Sequence, residues 1–147
     1  GIKKRFDIVQ SNEKFVVIDD YAHHPTEIEA TMKSVELYDN LTNFNNRIVL
    51  WQPHKYSRTS DNLEGFKKCF RRCDELIILP LWTVAGEKKI DIDFEKEFAS
   101  YNPIFADRVV SYKGKIELIK DDKIIKTYDE GIFLGVGAGD ITYQLRY

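Results

Sequence analysis

The chain has 147 residues, of which 43% are hydrophobic and 31% charged, with a formal net charge of -2. That balance supplies the core of one ordinary α/β domain and excludes a disordered or fibrous chain. The near-neutral charge gives no bulk attraction to nucleic acid or an anionic membrane, and no run of about 20 apolar residues is present to span one.

The opening, GIKKRFDI, carries no signal peptide and reads as the interior of a longer chain. Lys3, Lys4 and Arg5 form a basic, solvated face, while Phe6, Ile8 and Val9 suit a short edge strand or a packed arm. Phe15–Ile18 is an unbroken, β-branched apolar run, short enough for a strand buried on both faces. Asp19 and Asp20 fall where that strand leaves the sheet, the edge at which open α/β sheets bind ligands. Pro25 suits the first position of a helix, and Thr26 with Glu29 offers a capping box. His23 and His24 then stand at the positive end of that helix, whose field favours their neutral forms. Ile28, Met32, Val35, Tyr38 and Leu41 recur at helical spacing and predict one apolar face. Asn40–Asn46 is polar and reads as a loop.

Arg47–Trp51 is a second strand, ended by Pro53. The polar loop that follows holds His54, Lys55, Arg58 and four hydroxyls. Thr59 or Ser60 can cap a second helix, on which Leu63, Phe66, Phe70 and Cys73 share a face. The free N–H groups and positive field of such a helix start suit an anion. Arg58 can grip one through two parallel hydrogen bonds, with Lys55 as a point charge. A solvated loop with one cap is the competing reading. Glu75–Leu79 is a third strand and LWTVAGEKK a third polar turn. Asp91 or Asp93 starts a third helix bearing Phe94, Phe98 and Tyr101; Asn102-Pro103 stops it before a short strand at Ile104–Phe105. Lys115–Tyr128 alternates apolar and polar residues around Asp121-Asp122, which favours a hairpin; a helix over Ile116–Ile125 competes. Ile132–Val136 is a last buried strand, and Ile141–Tyr147 a last short helix.

Strands alternating with helices predict a single α/β domain with an open, mostly parallel sheet. In a parallel sheet the loops Asp19–Thr26, Gln52–Thr59 and Gly135–Asp140 open on one edge, and that convergence argues for a site. GVGAGD has only seven residues after it, too few for a dinucleotide fingerprint, so a tight turn with close backbone approach is its meaning. His23, His24 and His54 with Asp19 or Asp20 make a poor metal set, because neighbouring histidine side chains diverge; no metal site is predicted. Cys69 and Cys73 read as reduced, half-buried thiols of a cytoplasmic protein. No G-x-x-x-x-G-K-[ST] phosphate loop occurs.

DDYAHHPTEI at 19–28, QPHKYSRT at 52–59, AGE at 85–87 and GAGDI at 137–141 together resemble the ATP-dependent muramyl ligases of peptidoglycan synthesis. The likeness runs from about Arg5 to Ile141. It implies a Rossmann-like domain with helices on both faces of the sheet. Residues 1–147 would form the C-terminal domain of a larger chain whose N-terminal domain holds the UDP-sugar. The central domain would carry the phosphate loop and most magnesium ligands. The implied reaction uses ATP and Mg2+ to activate the carboxylate of UDP-N-acetylmuramate as an acyl phosphate, which the amine of L-alanine attacks. Carried over by motif, Arg5 contacts ATP phosphates, Asp20 the ribose or nearby nucleotide, and Tyr21 lies beside the nucleotide. His23, His54, Lys55 and Arg58 line the alanine and acyl-phosphate end, with His23, His54 and Arg58 as catalytic residues. The sequence departs from the family at Lys55, where the resemblance predicts arginine, and at Leu81–Val84, which replaces an aromatic-proline pattern. It also implies a helix in 107–130, against the alternation. A non-catalytic nucleotide- or anion-binding module using the same loops is the alternative function.

Overall fold

The computed structural model describes residues 5–147; Lys3 and Lys4 lie outside the described residues. A six-stranded sheet has the order β1-β2-β9-β3-β4-β5, formed by β1 (Asp7–Ser11), β2 (Phe15–Asp20), β3 (Arg47–Trp51), β4 (Glu75–Ile78), β5 (Ile104–Phe105) and β9 (Gly131–Val136). The edge strand β1 runs antiparallel to β2, and all other pairings are parallel. The last strand, β9, enters between β2 and β3. Both β2 and β9 are buried along their whole length, as the apolar runs Phe15–Ile18 and Ile132–Val136 require; Asp19 and Asp20 at the end of β2 are buried with their carboxylates hydrogen-bonded.

One face of the sheet is covered by α1 (Pro25–Thr42), α3 (Leu63–Cys69) and the single turn α4 (Phe94–Glu97). The opposite face carries α5 (Ile141–Gln144), whose Ile141 and following Leu145 are fully buried there. Most of that face is covered by an antiparallel sheet of β6 (Arg108–Tyr112), β7 (Lys115–Lys120) and β8 (Lys123–Tyr128). The hairpin reading of 115–128 therefore holds, and the competing helix does not form. Asp121 and Asp122 supply the two positive φ angles, 50° and 61°, that a two-residue turn between twisted strands demands. Glu75 fastens this small sheet to the large one, accepting from Lys126 Nζ at 2.7 Å and Tyr128 Oη at 2.9 Å.

Two helix expectations change. On α1, Ile28, Met32 and Val35 are buried as predicted, but Leu41 is 84% exposed and Asp39 is buried in its place. Continuing by four residues from Val35 reaches Asp39, whose carboxylate accepts from Asn45 N and Arg47 Nε and so ties the helix end to β3. The second helix is two: α2 (Tyr56–Asp61) stops at Asn62 before α3 begins, and Cys73 lies beyond its end. The third begins as predicted with Asp93 accepting from Lys96 N, but after one turn it tightens into a 3-10 segment ending at Tyr101.

Candidate functional site

The parallel pairing of β2, β9 and β3 brings the predicted strand-end loops to one edge. Their order across it is Asp19–Thr26, Gly137–Asp140, Gln52–Thr59, with the 80–87 turn after β4 as a fourth member.

Asp19 and Asp20 point to opposite sides of β2, following the alternation of a strand. Each meets an arginine from near one end of the chain. Asp20, 2% exposed, accepts from Arg5 Nη1 at 3.3 Å, Phe6 N at 3.0 Å, Ala22 N at 2.8 Å and Thr31 Oγ1 at 3.1 Å. Asp19 accepts from Thr142 Oγ1 at 2.6 Å and Arg146 Nη1 at 2.7 Å, and Arg146 also reaches Asp7. Arg5 remains half exposed and donates to Glu27 Oε2 at 2.6 Å, a contact that raises its pKa. Asp20 thus leaves the helix start alone: the capping acceptor is Glu27, at the third helical position, which takes the N–H groups of His23 and His24. Thr26 and Glu29 do not form the box; Glu29 instead pairs with Arg71 and Arg72 on the far side. Asp20→Asn is expected to destabilise the domain by about 1–3 kcal/mol, because an amide retains one acceptor where two backbone N–H groups converge. A urea midpoint equal to that of the parent would remove Asp20 from the scaffold.

The second loop departs most from expectation. Lys55, not Thr59 or Ser60, precedes the helix, in an unusual conformation with φ 70° and ψ 133°. Such geometry costs about 1–3 kcal/mol and persists where surroundings enforce it. Here Lys55 N donates to Trp82 O at 2.8 Å and Trp82 N to Pro53 O at 2.7 Å, stitching the 52–55 and 80–84 segments together. The N–H groups at the start of α2 are also taken. Glu87 of the AGE turn accepts from Tyr56 N at 2.9 Å and Ser57 N at 3.3 Å, and from the hydroxyls of Ser57 and Thr83. Burial pushes the Glu87 carboxyl up, but these donors outweigh it and hold its pKa below the ordinary value. The protein's own carboxylate fills the position predicted for an anion, so any anion here must be held by side chains.

Those side chains converge. Arg58 Nη1 lies 2.8 Å from His54 Nδ1, and the His54 ring stands edge-on to His23 with centroids 6.2 Å apart. Tyr21 also packs edge-on against His23, at 5.1 Å between ring centroids. His23 Nδ1 lies 3.0 Å from Tyr21 O and 3.7 Å from Glu27 Oε1. Burial, then the charge of Arg58, lowers the pKa of His54 and keeps it neutral. Tyr21, His23, His54 and Arg58 thus form one chain of contacts, with Arg5 joined to it through Glu27.

The glycine turn closes the edge. Gly137, with φ 151°, brings its backbone against Gln52, and a Cβ there would stand 2.9 Å from Gln52 O. A Cβ on Gly139 would strike Gln52 Oε1 and the Trp82 indole. Asp140 accepts from Gln52 Nε2 at 2.7 Å and Gln144 Nε2 at 3.0 Å, fixing the turn. A groove of about 480 Å³ beside it is lined by Gln52, Trp82, Asp140 and Gln144, among others, and the histidines and Arg58 lie outside it. Among the described residues no cluster of three histidine, cysteine or carboxylate ligands is placed for a metal, and no helix is long and apolar enough to cross a membrane. Sequence reasoning missed Glu27 and Glu87 as caps and Trp82 as the stitch; AGE was visible as a motif, but its partner helix lies 31 residues upstream.

An open α/β domain with polar loops gathered along one sheet edge is the form of a ligase domain family. Residues 4–127 match the family described as Mur ligase, glutamate ligase domain, and the chain belongs to that family.

Among particular relatives, the chain is 57% identical to UDP-N-acetylmuramate–L-alanine ligase of Helicobacter pylori, over 99% of the chain and 32% of the relative. It is 50% identical to the enzyme of the same name from Campylobacter curvus, over 99% of the chain and 33% of the relative. The chain therefore spans about a third of the length of these curated relatives. In fold it is similar to the UDP-N-acetylmuramate-alanine ligase of Thermotoga maritima, with a TM-score of 0.57 and 24% identity over 98% of this chain and 28% of that one. A murein peptide ligase of Psychrobacter arcticus also gives a TM-score of 0.57, with 14% identity over 96% of this chain and 28% of that one.

Proposed function

We propose that this chain is the C-terminal domain of a cytoplasmic, ATP-dependent ligase that joins L-alanine to UDP-N-acetylmuramate in peptidoglycan synthesis. The observation that carries this reading is the His23–His54–Arg58 cluster on the sheet edge, in a chain 57% identical to a ligase of that name. The donor set suits nucleotide and acyl phosphate. Half-exposed Arg5 reaches ATP phosphates, Asp20 and Tyr21 border the nucleotide, and Asp20 holds Arg5 in place. His23, His54, Lys55 and Arg58 face the alanine and acyl-phosphate end. The edge carboxylates Asp19, Asp20, Glu27 and Glu87 are engaged by protein donors, which agrees with most Mg2+ ligands lying in the central domain of the longer chain. In the reaction, cationic Arg58 and Lys55 stabilise charge on the acyl phosphate as the alanine nitrogen attacks.

Family membership disfavours the alternative of a non-catalytic binding module. The test is turnover. The longer protein containing this chain should release ADP only when ATP, Mg2+, UDP-N-acetylmuramate and L-alanine are all present. The 147-residue chain alone, lacking a phosphate loop, should release none. Alanine-independent turnover by the longer protein, or turnover by the chain alone, would refute the assignment.

A further inference from the structure

The two histidines of the cluster have different partners at the same ring atom. Next to His54 Nδ1 stands Arg58 Nη1, at 2.8 Å. A guanidinium has only N–H donors and keeps its proton, so His54 Nδ1 must be the acceptor. Neutral His54 therefore carries its hydrogen on Nε2. Next to His23 Nδ1 stand two acceptors, the Tyr21 carbonyl at 3.0 Å and the Glu27 carboxylate at 3.7 Å. Neither can donate, so His23 Nδ1 carries the hydrogen and its Nε2 presents a lone pair. The rings are neighbours, 6.2 Å apart, yet one offers an N–H at Nε2 and the other a lone pair.

We propose that the opposite tautomers of His23 and His54 divide the chemistry of the ligase, with His23 accepting the proton of the attacking amine and His54 donating a hydrogen bond to the acyl-phosphate oxygens. This rests on the ligase reading above. In the step, the alanine nitrogen bonds to the acyl carbon, and the phosphate oxygen leaves with the electrons of the C–O bond. One N–H proton passes to His23 Nε2, and His54 Nε2–H stays in place as a donor to the oxygens gaining charge. Arg58 and Glu27 act on these histidines as positioning residues. Among the described residues, Arg58, Lys55 and Glu87 act on His54 beside the His23 ring, and Glu27 faces His23.

Nitrogen NMR of the unmodified chain at about pH 8, where ordinary imidazoles are neutral, reads the tautomers directly. The expected result is Nε2–H for His54 and Nδ1–H for His23; either ring in the reverse form overturns the proposal. In the longer protein, His54→Ala should lower kcat about 10²–10³-fold, as for a lost oxyanion donor. His54→Gln should stay within about tenfold of the parent, because its amide N–H can replace the donor. His23→Gln should fall as far as His23→Ala, about 10²–10⁴-fold, because an amide oxygen accepts a hydrogen bond but cannot take a proton. Rescue of His23 by glutamine, or equal losses for His54→Gln and His54→Ala, would also overturn it. The reading it rests on fails separately, through absence of alanine-dependent ADP release with the tautomers as expected.

Discussion

Trp51→Ala should lower the stability of the domain by about 3–5 kcal/mol, the loss typical of a large buried aromatic side chain removed from a core. Trp51 ends β3 and is 1% exposed. Four phenylalanines surround its indole: Phe66 and Phe70 at 5.0 Å, Phe98 at 5.1 Å and Phe94 at 5.9 Å between ring centroids. They come from α3, α4 and the residue directly after each, so the ring joins the helical layer to the sheet. Alanine leaves a cavity among rings from separate elements, which cannot all move in to fill it. Trp51→Phe keeps much of the contact and should lose clearly less. The comparison is Leu41→Ala, a side chain 84% exposed, which should shift a urea midpoint little. Equal shifts for Trp51→Ala and Leu41→Ala would mean that the aromatic cluster is not what holds the layers. The effect also bears on function, because Trp51 directly precedes the loop of His54 and Arg58, and its backbone carbonyl accepts from Leu79 N at the adjoining strand end.

Arg58→Ala is the second large effect. In the longer protein it should reduce kcat/KM for alanine by the equivalent of about 2–5 kcal/mol, the range for breaking a buried, hydrogen-bonded charge contact. Arg58 is half-buried on α2 with its guanidinium against the His54 ring, and on the reading proposed above it both supplies positive charge and fixes that ring. Lysine at 58 retains charge but loses the planar fork, so Arg58→Lys should recover only part of the loss. Lys68→Ala, on an exposed position of α3, should change kcat/KM little. Comparable losses for Arg58→Ala and Lys68→Ala would show that Arg58 does not act at the site. A loss confined to protein stability, with kcat/KM of the folded fraction intact, would make Arg58 a scaffold residue.

The arrangement at the edge explains why the α2 cap is supplied from a distance. A cap from within the 52–59 loop would turn its hydroxyls and Arg58 toward their own helix. With Glu87 on the N–H groups of Tyr56 and Ser57, Arg58 is left to meet His54, and Thr59 returns its hydroxyl to Lys55 O. At the other histidine the cap is local: Glu27, at the third position of α1, takes two backbone N–H groups and the Arg5 guanidinium together.

By itself the sequence determined the elements whose signal is local. Uninterrupted apolar runs fixed β2, β3 and β9, since such residues cannot be solvated on either face. Alternation around Asp121-Asp122 fixed the β7–β8 hairpin, against the helix the family likeness implied. Pro25 marked the start of α1 through its missing N–H. The loops that gather the site were legible for the same reason, because parallel strands open on one edge. The tertiary structure alone decided how polar groups were shared across that edge. Hydrogen-bond acceptors are exchangeable at a distance, so nothing local told that Glu87 would cap α2, that Asp19 would hold Arg146, or that Asp39 would displace Leu41 from the buried face. Periodicity likewise could not say that a second sheet, rather than long helices, would cover Phe15, Val17, Ile48 and Leu50, because a buried apolar face accepts any apolar partner of the right shape. The opposite tautomers of His23 and His54 follow from the atoms set beside them, and those atoms come together only when β2 and β3 are placed on either side of β9.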